Sequence, residues 1–372
     1  AEAQSLARSA ALRRALSQGD LAGVRAAVAE ERSALGERAG VPEVADTYTP
    51  VPADAAVFSA AEARQAFAPF FAAVEKDRWW RVGADPTKLT APLRLPASVM
   101  TGYVVGWRAG LPGAEEGLAR AGEAADFLMW AQEQAGRGLF PFPAARGTSK
   151  VRAMEVATRF LEDAERAGRL GQVVRAGWLF DDLGDGGLQF DNGECGEALL
   201  DLYAASGDAR YLRSALRAAE WAVGCPLCAN WNYNSFSVGL LARAYEATRE
   251  VRFLEAAVKK ARLGVLPGQM PDGPRAGRWV DPHNARPAYH YIMMRELARL
   301  AAALPVDDPF RGEVVQALRL GLRARNAEIV TRGIMTRNKA FEALMLVCRT
   351  FASDPDFIKE TRSSEALQAL CA

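Results

Sequence analysis

The sequence is short of the residues that most often build metal and nucleotide sites. Its 372 residues include two histidines and five cysteines. The C-x-x-C pair Cys225 and Cys228 has no second pair at zinc spacing, which argues against structural zinc. Two interpretations remain: the two cysteines form a disulfide, or they are ordinary loop thiols. Neither a glycine-rich phosphate loop nor a G-x-S-x-G elbow occurs, so nucleotide and serine hydrolase chemistry have no support.

An excess of charge of one sign and long apolar runs are also missing. The 46 Lys and Arg residues are balanced by 45 Asp and Glu residues, so no overall field attracts nucleic acid or an anionic membrane. No apolar run approaches the roughly twenty residues that cross a bilayer. We therefore expect no nucleic-acid partner and no membrane span. The chain begins at Ala1 rather than Met, which fits either a removed leader or a shortened chain. Our expectation is an exported protein, periplasmic or extracellular, whose leader is not part of this sequence.

Helical periodicity is what the sequence has in abundance. Stretches such as AEAADFLMWAQEQAG and VRAMEVATRFLEDAERAG place apolar residues three or four positions apart. No alternating run of Val, Ile or Thr is long enough to predict a sheet. The predicted fold class is therefore all-α.

Two helical hairpins repeat after a shift of 42 residues. The shift superimposes Tyr203 on Tyr245, Ser206 on Thr248, Arg210 on Arg252, Tyr211 on Phe253 and Leu212 on Leu254. Weaker copies elsewhere indicate a solenoid or a closed toroid of helix pairs over residues 91–372. Residues 1–90 fit the plan less well. They are predicted to form an N-terminal helical arm packed on the toroid, with a free dimerisation hairpin as the alternative.

The connectors differ in length in a regular way. Turns within the hairpins are short, such as SGDA and TREV, whereas the segments between hairpins are long and rich in aromatic, Asn, Gly and charged residues. The long segments are 134–150, 171–191, 224–233 and 264–285. This alternation places the long segments at one end of the helices, where ordered loops on a rigid scaffold commonly form a binding site.

The hairpin sequence GEALLDLYAASGDARYLRSALRAAEWA resembles the repeating unit of the (α/α) toroid carbohydrate-active enzymes. These include unsaturated glucuronyl hydrolases, other glycoside hydrolases and alginate lyase-like polysaccharide lyases. The likeness covers roughly Pro92 to the C-terminus as a fold-level pattern. It implies a toroid of about six hairpins as the catalytic domain, a polysaccharide or oligosaccharide substrate and no cofactor. It also implies a substrate funnel lined by the first residues of the inner helices.

Aromatic, amide, acidic and basic side chains around those helix starts are the candidates for substrate binding. Flat aromatic faces suit the C–H faces of pyranose rings, and the polar groups suit sugar hydroxyls. The candidates are Trp178, Asp181, Asp182, Asn230, Trp231, Asn232, Arg275, Arg278, Trp279, His283, Arg286 and Tyr291. The alternative for the aromatic members is packing in the core of the toroid.

Paired carboxylates predict a glycoside hydrolase, which needs one protonated and one ionised carboxyl group. Asp191 is predicted to begin an inner helix, where the unsaturated glucuronyl hydrolase-like families carry a functional Asp. Glu194 and Asp185 are the neighbouring catalytic candidates. In the alternative interpretation Asp191 is an N-cap and Glu194 completes a capping box. Asp181, Asp182 and Asp185 have oxygen ligands for calcium but not the spacing of an EF-hand.

A polysaccharide lyase is the alternative function. In β-elimination a Tyr or His removes the C5 proton of a uronic acid, and the candidates here are Tyr233 and His290. NWNYNSFSVGLLA resembles the Asn/His/Tyr helix start of alginate lyase-like enzymes, and the nearby arginines suit an anionic polymer. The other interpretation of His290 is a satisfied core residue. A noncatalytic glycan-binding protein is the third possibility.

Overall fold

The computed structural model describes most of the chain and confirms the all-α class. The described residues are 2–36, 48–51, 59–76, 78, 80, 93–111, 113–143, 166, 168, 178–179, 186–280, 284–334 and 337–371. In these ranges fourteen α-helices form nearly all of the regular structure. The strands β1 (Phe142–Pro143) and β2 (Trp178–Leu179) form one short antiparallel pair.

The helices follow one another in chain order. They are α1 (Glu2–Gln18), α2 (Leu21–Gly36), α3 (Ala60–Lys76), α4 (Arg94–Arg108), α5 (Gly117–Ala135), α6 (Leu188–Ser206), α7 (Ala209–Gly224), α8 (Trp231–Thr248), α9 (Val251–Gly264), α10 (Pro287–Ala303), α11 (Pro309–Arg332), α12 (Arg337–Thr350), α13 (Pro355–Glu360) and α14 (Ser363–Cys371). None of these described helices combines the length and the apolarity needed to cross a bilayer.

The chain divides into two compact units. The middle unit contains Ser59–Cys225, and the outer-chain unit contains Ala1–Phe58 together with Pro226–Ala372. Residues 1–90, predicted to form an arm, therefore contribute to both units. Within the outer-chain unit, α2 packs against α9 and against a short 3-10 helix, Leu266–Gly268.

The middle unit is built from helical hairpins with an inner and an outer helix. Helix α4 pairs with α5, α6 pairs with α7, and the inner helices α4 and α6 pack side by side. Twelve of the nineteen residues of α6 are buried, against six of the sixteen in α7. A helix that is buried on all sides lies in the interior, whereas α7 buries one face.

The outer-chain unit repeats this two-layer arrangement. The inner helices α8, α10 and α12 lie in a row, with α9, α11 and α14 packed on their outer side. Thirteen of the seventeen residues of α10 are buried. The predicted succession of hairpins is thus confirmed in the described part of the chain, and its closure into a toroid of about six hairpins stays a prediction.

The 42-residue repeat is reproduced in the turns. The C-cap residues, Gly207 after α6 and Arg249 after α8, both have left-handed backbone, at φ 75° and 62°. The Ser206 hydroxyl donates to the Leu202 carbonyl at 2.8 Å, and the hydroxyl of Thr248 makes the matching bond, also at 2.8 Å. Each hairpin is therefore closed by the same short turn.

Candidate functional site

Asp191, the leading catalytic candidate, lies inside helix α6 rather than at its boundary. The helix begins at Leu188 with Gly187 as the N-cap, which makes Asp191 the fourth helical residue. The prediction that Asp191 begins the helix is wrong by three residues. The capping-box interpretation is wrong for the same reason, because the residue in the N-cap position has no side chain.

A basic side chain from the neighbouring inner helix pairs with Asp191. The carboxylate is fully buried, and Arg94, the first residue of α4, places its Nε 3.4 Å from Asp191 Oδ1. The same guanidinium stacks over the Phe190 ring, 4.2 Å from the ring centre.

Glu194 and Cys195 occupy the next turn of α6. Glu194 is half-buried, whereas Cys195 is fully buried. Burial, followed by the charges of Asp191 and Glu194, raises the pKa of the Cys195 thiol well above its usual value. The thiol therefore stays protonated and is no nucleophile.

Two buried asparagines tie inner helices to the outer helices of their own hairpins. Asn192 Nδ2 donates to the Ala218 carbonyl of α7 at 3.0 Å, and its Oδ1 accepts from Phe140 N–H at 3.2 Å. Asn234 Nδ2 donates to the Gly264 carbonyl of α9 at 2.8 Å. We call these side chains tethers. Sequence reasoning missed them, although the 42-residue shift superimposes Asn192 on Asn234.

His290 makes the same kind of contact in the next hairpin. It is fully buried, with Nε2 3.0 Å from the Gly321 carbonyl of α11. The rings of Trp279 and Tyr291 approach it edge-on at centroid distances of 5.5 and 5.7 Å. Burial, followed by the charge of Arg325, lowers the pKa of His290 well below its usual value. A neutral, enclosed imidazole favours the core interpretation over the role of an accessible base.

The start of α8 carries the predicted substrate-binding sequence NWNY. Asn230 is the N-cap but makes no side-chain capping bond, and its Oδ1 is buried without a hydrogen-bond partner among the described residues. Asn232 is 1% exposed, and neither atom of its side-chain amide has a hydrogen-bond partner in the same set. Its backbone N–H donates to Asn284 Oδ1 at 3.0 Å. Tyr233, the next residue, is half-buried.

The two tryptophans predicted to stack on sugars are enclosed. Trp231 is 1% exposed and lies against Gly268, where any added Cβ would collide with the indole. Trp279 is fully buried and donates its indole N–H to the Val265 carbonyl at 3.1 Å. Tyr291 is also buried, and its hydroxyl donates to Asn326 Oδ1 at 2.8 Å. Their burial favours the packing interpretation for all three rings.

The predicted arginines have different surroundings. Arg278 forms an ion pair with Glu328. The Oε2 atom of Glu328 also lies 2.6 Å from Arg325 Nη1 and accepts a hydrogen bond from the Tyr48 hydroxyl at 3.1 Å. Burial opposes the charged form of Glu328, but Arg325 and Arg278 outweigh it and leave the pKa below its usual value. Arg286 is exposed as the N-cap of α10.

The remaining predicted site residues lie in the long segments between the hairpins. Arg275 is half-buried. The backbone of Trp178 pairs with Pro143 in the β1–β2 ladder. The Trp178 side chain lies outside the described residues, as do Asp181, Asp182, Asp185 and His283.

The described residues hold no group of three His, Cys, Asp or Glu side chains suited to a metal ion. The five cysteines are all described, and none of them forms a disulfide. For Cys225 and Cys228 this agrees with loop thiols rather than a disulfide.

No family model matches the sequence, and no curated protein matches it. Among solved structures, one match has 15% sequence identity, covers 74% of each chain and has a TM-score of 0.45. It is a polysaccharide lyase. A likeness at this identity and TM-score decides neither the fold nor the reaction.

Proposed function

We propose that the chain is a carbohydrate-active enzyme that hydrolyses glycosidic bonds of a polysaccharide or oligosaccharide. The observation that supports this most directly is the buried Asp191 carboxylate, paired with Arg94 near the start of an inner helix, with Glu194 one turn along. Residues three apart lie on neighbouring positions of one helix face. Two carboxyl groups in different surroundings are the equipment of a glycosidase.

The two carboxyl groups suit different steps. Asp191, paired with Arg94, would act as the ionised carboxylate, which activates a water molecule or stabilises the positive charge that develops at the anomeric carbon. Glu194 would donate the proton to the departing glycosidic oxygen. Hydrolysis then adds the oxygen of water to the anomeric carbon and returns a proton to the solvent or to a carboxylate.

Substitution of the two carboxyl groups tests the proposal. Purified protein is incubated with neutral, uronate-containing and amino-sugar polysaccharides, and the products are analysed by mass. We expect Asp191→Asn and Glu194→Gln each to lower the rate roughly 10² to 10⁴-fold, as for the loss of a catalytic acid or base.

Asp201→Asn is the matched control, because Asp201 lies on the same helix α6, ten residues beyond Asp191. It should keep the wild-type rate. Equal rates for Asp191→Asn and wild type on every substrate that is cleaved would refute the assignment.

A lyase acting on a uronic-acid polymer is the second candidate, favoured by one observation. Tyr233 occupies the position of Asp191 under the 42-residue shift and is half-buried, whereas His290 is fully enclosed. Tyr233 is therefore the better candidate for removing the C5 proton. Elimination leaves a carbon–carbon double bond in the new chain end, which absorbs ultraviolet light.

Products separate the two enzymes. Hydrolysis gives products heavier by one water per cleaved bond and no new ultraviolet absorbance. Under the lyase candidate Tyr233→Phe would abolish the absorbance, and Tyr245→Phe near the other end of α8 would not. A protein that binds glycans and releases no product would contradict both enzymes.

A further inference from the structure

The guanidinium of Arg94 is held on two sides. Arg94 is the first residue of α4, and its Nε lies 3.4 Å from Oδ1 of Asp191. The guanidinium also lies over the Phe190 ring, with its Cζ atom 4.2 Å from the ring centre. A side chain fixed in this way is preorganised, because little of its freedom remains to be lost when a ligand binds.

The outer end of the same guanidinium is accessible to solvent. Nε of Arg94 is buried, but neither Nη atom is, and neither donates a hydrogen bond within the described part of the chain. The Arg94 side chain is 33% exposed, and Leu95, the next residue of α4, is 48% exposed. The edge formed by Nη1 and Nη2 is therefore open at the start of an inner helix.

Arg78, in the same unit of the chain, shows what such an edge binds when it is occupied. Its Nη1 lies 2.6 Å from Glu123 and its Nη2 lies 2.8 Å from Glu75. One guanidinium thus bridges two carboxylates, and the Arg78 side chain is 7% exposed. Arg94 has one carboxylate beside it, on its Nε side, so a second anion can approach the Nη edge in the same way.

The open edge of Arg94 fits an anionic substituent of a sugar. Two parallel N–H donors match the two oxygens of a carboxylate, and they equally match two oxygens of a sulfate ester. A single hydroxyl group supplies one oxygen and no charge, so it satisfies only part of the edge. A charged sugar therefore gains more from this contact than a neutral sugar does.

We propose that Arg94 is a substrate-binding residue that forms a subsite for the anionic group of a sugar ring, either a carboxylate or a sulfate ester. This rests on the proposed carbohydrate substrate and narrows its class to charged glycans. Asp191 and Phe190 fix the guanidinium, and the anionic group of the substrate takes the second place beside it.

Sugar binding to the whole protein tests the subsite. Calorimetry or ligand-detected NMR would compare glucuronate with glucose, galacturonate with galactose, and sulfated glucose with glucose. We expect an anionic sugar to bind roughly tenfold more tightly than its neutral counterpart, because hydrogen bonds between charged groups are the stronger ones. The uronates and the sulfated sugar show which of the two groups the subsite takes. Equal affinity for the charged and neutral members of every pair would overturn the proposal.

Two variants assign the preference to Arg94. Arg94→Lys keeps a positive charge beside Asp191 but has no fork, so we expect it to stay folded and to lose most of the preference. Arg94→Gln removes the charge as well and should abolish the preference. Arg108→Gln, at the last residue of α4, is the matched control and should keep it. Circular dichroism checks that each variant is folded, and a preference that survives unchanged in folded Arg94→Lys would contradict the assignment.

The failure of this proposal differs from the failure of the proposed function. Binding of an anionic sugar that depends on Arg94, in a protein that cleaves no glycan, would keep the subsite and remove the enzyme. Cleavage that depends on Asp191, in a protein with no preference for anionic sugars, would keep the enzyme and overturn the subsite.

Discussion

The hairpins α6–α7 and α8–α9 are alike in their turns and different at their starts. Both inner helices end in left-handed backbone, and a hydroxyl follows the same bonding pattern before each turn. In the outer helices Arg210 and Arg252 each bond back to an acidic residue two positions earlier, at 2.9 and 2.8 Å. The end of the hairpin at which the turn joins the inner and outer helices is therefore the same in both hairpins, including its individual hydrogen bonds.

At the opposite end, where the inner helices begin, both hairpins have the tether. The residue before the tether differs. Asn192 and Asn234 coincide under the shift, and each donates to a carbonyl of its own outer helix. The residue before the tether is Asp191, fully buried beside Arg94, in one hairpin and the half-buried Tyr233 in the other. The two hairpins thus have the same tether, Asn192 or Asn234, but a different residue before it. The candidate catalytic residues, Asp191 and Tyr233, stand at this variable position.

Among the predicted changes, removal of a tether should lower the stability of the protein most. We expect Asn192→Ala and Asn234→Ala each to lower the free energy of unfolding by about 2–4 kcal/mol, because each leaves buried backbone groups unpaired. Urea unfolding followed by circular dichroism measures the change. If the two losses differed by more than about 2 kcal/mol, the tethers would not be equivalent.

His290, which takes the place of an asparagine tether in the α10–α11 hairpin, should make that hairpin sensitive to acid. Its pKa is depressed in the folded chain because of burial and Arg325, so the unfolded chain takes up the proton first, near pH 6.5. The stabilising contribution is fully present above that pH and is lost as the pH falls towards the folded-state pKa. The slope reaches about 1.4 kcal/mol per pH unit.

The test replaces this histidine with the asparagine found in the α6–α7 and α8–α9 hairpins. His290→Asn should flatten the dependence of unfolding free energy on pH between about 6.5 and 5 relative to wild type. All other titrating groups are common to the two proteins, so the difference isolates position 290. Parallel curves for wild type and variant would contradict a neutral buried His290.

The caps of the outer helices should show the smallest effect. Asp208 accepts a hydrogen bond from the Arg210 N–H at 2.8 Å, whereas Glu250, its counterpart, makes no side-chain capping bond. Asp208→Ala should therefore cost about 1 kcal/mol, and Glu250→Ala only a few tenths. Thermal unfolding of the two variants measures the contrast. Equal costs would show that the turns are stabilised by something other than the cap.

The helices and their turns were predictable because their signals are local. Apolar spacing predicts the all-α class, and the SGDA and TREV turns each contain the hydroxyl residue, Ser206 or Thr248, that bonds to the end of its own inner helix. The start of α6 was placed three residues late because Gly187, in the N-cap position, leaves no capping side chain to read. Trp279 lies in a loop rich in polar residues and so resembles an exposed binding residue, but it is buried, and its indole N–H bonds to the carbonyl of Val265, 14 residues earlier. The asparagine tethers were missed for the same reason, because Asn192 bonds to Ala218 and Asn234 to Gly264, both on the following helix.

The tether at Asn192 and the candidate catalytic residue at Asp191 are adjacent in the chain. The same is true of Asn234 and Tyr233 in the next hairpin. In a hairpin built in this way the anchor is fixed by its bond to the outer helix, whichever side chain stands one residue earlier. An acid in one hairpin and a phenol in the next can therefore stand beside the same anchor.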